Sequence, residues 1–315
     1  MSDSTPKFVH LSESDARDVL FAEMLEKRAG GDGRWSAGNR DAATRDAKRL
    51  AGEGVGARDF LPLRARLVAA RLHEDPANAF GTTSFRRASL ALTVILGLAA
   101  LMSGMLTDHL ATEGARINLL SPPLLLLIVW NLAVYLLIIL KPLMPSGTSR
   151  RPLSVREFLS RSLLKAAGSS AVSVEAGTAL FLPQCRWLVA RALHIAAILF
   201  AAGLLAGMAV RGIGTAYHVG WESTWLADNP EAVHTVLNTI YGHLPFCPPV
   251  PDVSAVAALA FDAQTASAVD AAPWLLRLMC LLALAIILPR LLLVLKCTVG
   301  LAASRRRVRI DLESP

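Results

Sequence analysis

"WLLRLMCLLALAIILPRLLLVL", residues 274–295, is the stretch on which the fold turns. Its leucines and isoleucines describe a helix that crosses a bilayer, yet it carries Arg277 and Arg290. Geometry weighs one against the other. For a helix centred near Ala285, Arg290 stands about 7–8 Å from the midplane at 1.5 Å per residue, and its long side chain can snorkel further toward the headgroups. An arginine at the very centre costs about 2.5–3.5 kcal/mol, and one off-centre costs less. The surrounding apolar residues outweigh that, so residues 274–295 are expected to span.

Three further blocks have the same character and none contains Asp, Glu, Lys or Arg: residues 88–107, 122–140 and 192–210. Twenty helical residues reach roughly 30 Å, the thickness of the hydrocarbon core. The chain as a whole is 53% hydrophobic and 18% charged, below the usual charged fraction of about 25% for a soluble domain. The first block begins too late and runs too long for a signal peptide. The fold class expected is all-α: a polytopic membrane protein with four transmembrane helices and a helical cytoplasmic N-terminal region.

Lysine and arginine near the span ends set the orientation. Arg86 and Arg87 precede the first span; Lys141, Arg150, Arg151, Arg156, Arg161, Lys165, Arg186 and Arg191 lie between the second and third; Lys296, Arg305, Arg306, Arg307 and Arg309 follow the fourth. The segment after the third span has one basic residue, Arg211, against six acidic ones. Both termini are thus expected in the cytoplasm, which an even number of spans requires. The divisions that follow are a cytoplasmic region over 1–85, three spans over 86–210 with a basic loop at 141–187, an acidic periplasmic segment over 211–273, and the last span with its basic tail over 274–315. The net charge of +7 reads as this topological signal; nucleic-acid binding would need a basic patch and a motif.

The soluble parts read as short helices. Ser12 caps "SESDARDVLFAEMLEKR", which carries Ala16, Val19, Leu20 and Met24 on one stripe. Gly30, Gly31 and Gly33 break it; a second helix runs over 37–50; "GEGVG" ends that; a third begins at Ala57. In the basic loop, Ser154 and Glu157 form a capping box, and Val155, Phe158, Leu159, Leu163 and Ala166 follow at helical spacing. That helix fits either an anionic lipid surface or the N-terminal region. Outside, Asn229 and Pro230 open a helix with Val233, Val236, Leu237 and Ile240 on one stripe, "HLPFCPPVPD" ends it, and Asp252 caps another.

The candidate functional residues lie in and beside the spans. Tyr217, Trp221 and Trp225, with Trp274 at the start of the fourth span, are expected as anchors where hydrocarbon meets headgroup. His218 and Glu222 would share a face if that segment were helical, but two ligands fall short of a metal site. Asn131 should hydrogen-bond a neighbouring helix, worth about 0.6 kcal/mol on average. His194 sits near the inner end of the third span, and Gly203 with Gly207 forms G-x-x-x-G, which permits close helix approach inside the bundle or between copies. Cys185, Cys247, Cys280 and Cys297 form no C-x-x-C, with only Cys247 expected outside, so neither an intramolecular disulfide nor a zinc site is expected. No cofactor is expected.

"RINLLSPPLLLLIVWNLAVYLL" from Arg116, "RGIGTAYHVGWESTWL" from Arg211, "LPFCPPVPD" from Leu244, "AAPWLLRLMCLLALAIILPRLLL" from Ala271 and "FLPLRARLVAARL" from Phe60 resemble the bacterial inner-membrane proteins grouped as domain of unknown function 2868. The resemblance runs over roughly residues 10–310 and is weakest at 146–175. It implies an inner-membrane location and no catalytic residue. Genes of this family often stand beside one for a membrane-associated GTPase, so the resemblance implies a cytoplasmic P-loop GTPase as a partner; the apolar spans make the bilayer itself a partner, and Gly203 with Gly207 leaves a second copy of the chain open as another.

Three functions are open at this point. The first is a non-enzymatic anchor or scaffold for a cytoplasmic partner. The second is a channel or transporter subunit, motivated by Asn131, His194, Arg277 and Arg290 at or near membrane depth. The third is an envelope enzyme using His218 and Glu222.

Overall fold

The computed structural model describes residues 8–28, 35–73, 75–107, 116–140, 171–261 and 271–312. The glycine break at 30–33 and the capped helix at 154–166 lie outside the described residues. Helices dominate: α1 (Glu13–Arg28), α2 (Ala37–Ala51), α3 (Ala57–Leu72), α4 (Pro76–Ala79), α5 (Thr82–Leu106), α6 (Pro122–Leu140), α7 (Ala171–Gly214), α8 (Pro230–Tyr241), α9 (Val253–Ala257) and α10 (Ala272–Arg306). Among the described residues there are also four short strands, which the all-α expectation lacks: β1 (Phe8–Leu11), β2 (Arg116–Asn118), β3 (His218–Gly220) and β4 (Val308–Asp311). They form two separate two-stranded ladders, β1 antiparallel to β4 and β2 parallel to β3.

Among the described residues, three helical segments are long and apolar enough to cross a membrane: Thr82–Leu106, Pro183–Gly214 and Ala272–Arg306. Leu90, Ile95, Leu98 and Leu106 of α5 and Leu291, Leu292, Leu295 and Val299 of α10 are exposed, as lipid-facing positions should be. The chain is a multi-pass membrane protein. The described part of α6, Leu125–Leu140, is apolar but shorter. The weakest stretch in the sequence is thus a long helix after all, and it runs further than residues 274–295 at its C-terminal end.

The chain divides into two compact units. Unit 1 gathers Met1–Thr93, Arg151–Ala192 and Leu295–Pro315; unit 2 gathers Val94–Arg150 and Leu193–Val294. Unit 1 therefore collects the three segments richest in lysine and arginine. In it, α1 and α2 pack on α3. Ser12 accepts from the Asp15 amide at 3.2 Å and Ser36 from that of Asn39 at 3.2 Å, satisfying donors that open helices otherwise leave bare. Gly52 and Gly54, at φ +80° and +84°, supply the left-handed turn that ends α2. A core of Leu11, Phe21, Phe80, Phe85, Phe181 and Leu301 closes with Val308 and Ile310 of β4, and the rings of Phe85 and Phe181 stack at 4.4 Å.

Unit 2 contains a small cap built from β2, β3, α8 and α9. Asn229 accepts from the Ala232 amide at 2.9 Å with Pro230 in the first turn, and Asp252 accepts from the Ala255 amide at 3.0 Å. Val233, Leu237 and Tyr241 of α8 are buried with Val256, Leu259, Trp274 and Leu278.

Candidate functional site

The site is built from the residue that the sequence made least comfortable. Arg290 does not snorkel outward as expected. It is 9% exposed and turns into unit 2. Its Nη2 donates to Asn131 Oδ1 at 2.9 Å, and its Nη1 bonds His194 Nδ1 at 3.0 Å. A guanidinium has only donors, so Nδ1 accepts, and the His194 ring is neutral with its proton on Nε2. The guanidinium carbon lies 5.4 Å from the centre of the Tyr135 ring. Asn131 and Tyr135 are four apart on α6 and share its face. One polar centre thus joins α6, α7 and α10.

The helix around Arg290 is irregular for a stated reason. Pro289 has no N–H and its ring crowds the carbonyl four residues back, which is that of Ala285. Over Ala283–Ile287 the helix widens to a π turn, with the Leu288 amide reaching Ala283 O. The Tyr135 hydroxyl donates to the Ala285 carbonyl at 3.0 Å, filling the place that Pro289 vacates. Within a bilayer such freed carbonyls must find a partner. No described carboxylate pairs with Arg290, and its Nε is buried without an acceptor. Two charge-assisted bonds contribute about 1.5–3 kcal/mol each, while burying the cation costs several kcal/mol. The centre is therefore held by a balance of large terms.

A second feature positions it. Gly203 sits so that a Cβ would strike Leu101 O and lie 3.0 Å from Met105 N, and one on Gly207 would lie 2.7 Å from Met105 O. Gly104 opposes them, facing Phe200 O. The G-x-x-x-G pair thus packs inside the bundle, against α5. Arg211 then donates to the carbonyls of Met105 and Thr107, at 2.8 and 3.2 Å, satisfying the bare C-terminal end of α5.

The aromatic belt reading is corrected in part. Trp221 is 3% exposed, donates its Nε1 to Val256 O at 2.7 Å and bridges Ala260. Trp274 is equally buried, edge-on to Tyr241 at 6.1 Å between ring centres. Both are core residues of the cap, not anchors. Trp225 is 93% exposed. His218 lies in strand β3, half-buried, rather than on a helix, and Glu222 is exposed. The Glu222 backbone is held at both N–H and C=O by the Asn118 side chain. No group of three metal-ligating side chains is gathered among the described residues.

Arg277 is also explained without a carboxylate. It lies 4.6 Å over the Trp274 ring and donates to the carbonyls of Pro248 and Pro249 at 3.3 and 2.8 Å. Electrostatics in the cap follow local bonding. The Ala255 amide and the Ser254 hydroxyl hold Asp252 below the usual carboxylate range, and burial pushes the Tyr241 hydroxyl up.

Tyr135, Pro289 and Gly104 are the residues that sequence reasoning missed. Pro289 beside Arg290 was the available signal, since a proline inside a span marks a carbonyl in need of a donor. No curated protein matches the chain, and no solved structure does. Residues 150–315, just over half of the chain, match the model described as Protein of unknown function (DUF2868). That match includes "GWEST" and the last span and leaves out the stretches quoted from Phe60 and Arg116. The chain belongs to this family.

Proposed function

We propose that the protein is a four-span anchor of the bacterial inner (plasma) membrane that presents unit 1 to a cytoplasmic partner, such as a P-loop GTPase, and performs no chemistry of its own. The β1–β4 ladder carries this reading. Phe8 pairs with Asp311 and Leu11 with Val308, so both ends of the chain belong to one sheet. A two-stranded sheet cannot straddle a bilayer, because its backbone groups would be left bare in hydrocarbon. The number of crossings between Leu11 and Val308 is then even. Among the described residues three helices qualify by length, and the apolar α6 is taken as the fourth crossing. Unit 1 also offers a concave polar surface, a cleft of about 540 Å³ lined by Ser12, Asp15, Arg58, Asp59, Arg66 and Arg306 among others.

Affinity purification of the full-length protein in mild detergent, at native expression, is expected to retain a nucleotide-hydrolysing cytoplasmic protein. A clean negative overturns the scaffold. A reporter fused after Pro315 that is active only in the periplasm overturns the threading.

A channel or transporter subunit is the second reading, favoured by the Arg290–Asn131–His194 centre, since ionisable groups at membrane depth mark functional sites by default. Flux through reconstituted vesicles no greater than through empty liposomes would retire it.

A further inference from the structure

Arg290 brings a positive charge into the interior of unit 2, and the chain has no carboxylate to set against it there. All 25 acidic residues fall outside the four apolar blocks. Along the chain the nearest to Arg290 are Asp270 and Asp311, each at least 20 residues away, about 30 Å along a helix at 1.5 Å per residue. Glu113 and Glu175 are the nearest to Asn131 and His194, at least 18 residues from either.

The groups that do touch Arg290 carry no charge. Asn131 and Tyr135 are neutral, and His194 is neutral because its Nδ1 accepts from the guanidinium at 3.0 Å. A guanidinium has five N–H groups. Nη2 and Nη1 have one acceptor each, Asn131 Oδ1 and His194 Nδ1, and the Tyr135 ring lies 5.4 Å from the guanidinium carbon. Nε–H is buried with no acceptor among the described residues. The neighbouring carbonyls are engaged by other donors. Asn131 Nδ2 donates to Leu127 O at 2.9 Å, and the Tyr135 hydroxyl donates to Ala285 O at 3.0 Å. The centre thus combines a net charge of one sign with a buried donor to spare, and both features ask for the same kind of partner.

Burial narrows that partner. Arg290 is only 9% exposed. A lipid phosphate arrives with its glycerol and acyl chains, and a carboxylate from a second chain arrives with its backbone; neither reaches a side chain enclosed to that degree. One uncompensated unit charge calls for one negative charge, and a water molecule satisfies the donor while leaving the charge.

We propose that unit 2 binds a small monovalent anion, of halide size, at Arg290, with Nε–H as its donor. Opposite charges in contact attract more strongly inside a protein than in water, so the ion offsets the burial of the cation. The site is compatible with both functional readings: the ion is resident in an anchor and permeant in a channel.

Full-length protein in mild detergent, exchanged into sodium gluconate, is titrated with sodium bromide at constant ionic strength. The thermal midpoint is read by tryptophan fluorescence and bound bromide by equilibrium dialysis. Bromide at about a hundred times its Kd is expected to raise the midpoint by about 3–5 °C, with a single ion bound per chain. Asn131→Asp places a carboxylate where Arg290 Nη2 already donates at 2.9 Å, so its internal charge should replace the ion and abolish the bromide response. Arg290→Met should abolish it too. Equal midpoints for the wild type in gluconate and bromide overturn the site. A response that Asn131→Asp keeps in full also overturns it and reports an adventitious ion only. Bromide binding that depends on Arg290, without flux through reconstituted vesicles, supports a resident ion and retires the channel reading, so the two fail separately.

Discussion

Replacing Asn131 with leucine should destabilise the protein more than replacing Arg290 itself, and the two changes should compensate. Asn131 Oδ1 accepts from Arg290 Nη2 at 2.9 Å, a charge-assisted bond worth about 1.5–3 kcal/mol. Asn131→Leu removes that bond and leaves the cation buried, so a loss of about 2–4 kcal/mol is expected, at the lower edge of what breaking a buried charged pair costs. Arg290→Met gives up more contacts. It loses the bonds to Asn131 and His194, about 3–6 kcal/mol together, and the Tyr135 ring contact at 5.4 Å, about 0.5–2 kcal/mol. It also removes the buried charge, which offsets several kcal/mol of that. In the Asn131→Leu background, Arg290→Met has one bond fewer to lose and the same relief to gain. The expected coupling is about 1.5–3 kcal/mol, and the double variant is more stable than Asn131→Leu alone. Denaturant titration in mixed micelles, read by tryptophan fluorescence, measures all four corners of the cycle. Single effects that add within about 0.5 kcal/mol would refute the idea that Arg290 is held at a net loss by its partners.

Three other outcomes are expected. Gly203→Val drives a side chain into the Leu101 carbonyl and should abolish the stable fold, whereas Gly212→Ala, whose nearest neighbour would be Tyr217 at 3.6 Å, should stabilise by about 0.5–1 kcal/mol; equal thermal midpoints for the two would be incompatible with close α5–α7 packing. Trp221→Ala should cost about 3–5 kcal/mol and Trp225→Ala less than about 0.5 kcal/mol, and comparable losses in chemical denaturation would return Trp221 to the role of an anchor. Asp252 has its folded pKa depressed by the Ala255 amide and Ser254, so its contribution is present above the unfolded carboxylate value and disappears as pH falls through the folded one. Amide exchange in α9 should therefore accelerate as pH drops below about 4 after correction for intrinsic rates, and Asp252→Ala should remove that step; an unchanged step in the variant would assign it elsewhere.

What the sequence determined by itself is whatever depends on neighbours along the chain. Apolar runs of bilayer length mark α5, α7 and α10 because each such helix satisfies its own backbone and needs no distant partner. The caps at Ser12, Asn229 and Asp252 are likewise local, since a side chain and an amide three residues on are joined by the chain itself. Two things stayed hidden for one reason: they join residues far apart in the chain. Nothing near Phe8 announces its pairing with Asp311, and nothing near Arg116 points to His218. Tryptophan is a different case, because one amphipathic ring suits a headgroup layer or a core with a carbonyl in reach. Only the Val256 carbonyl beside Trp221 and its absence from the surroundings described for Trp225 separate the two. Arg290 joins both kinds: its charge at membrane depth was legible in the sequence, and its inward turn was decided by Asn131 and His194, which only tertiary packing brings to it.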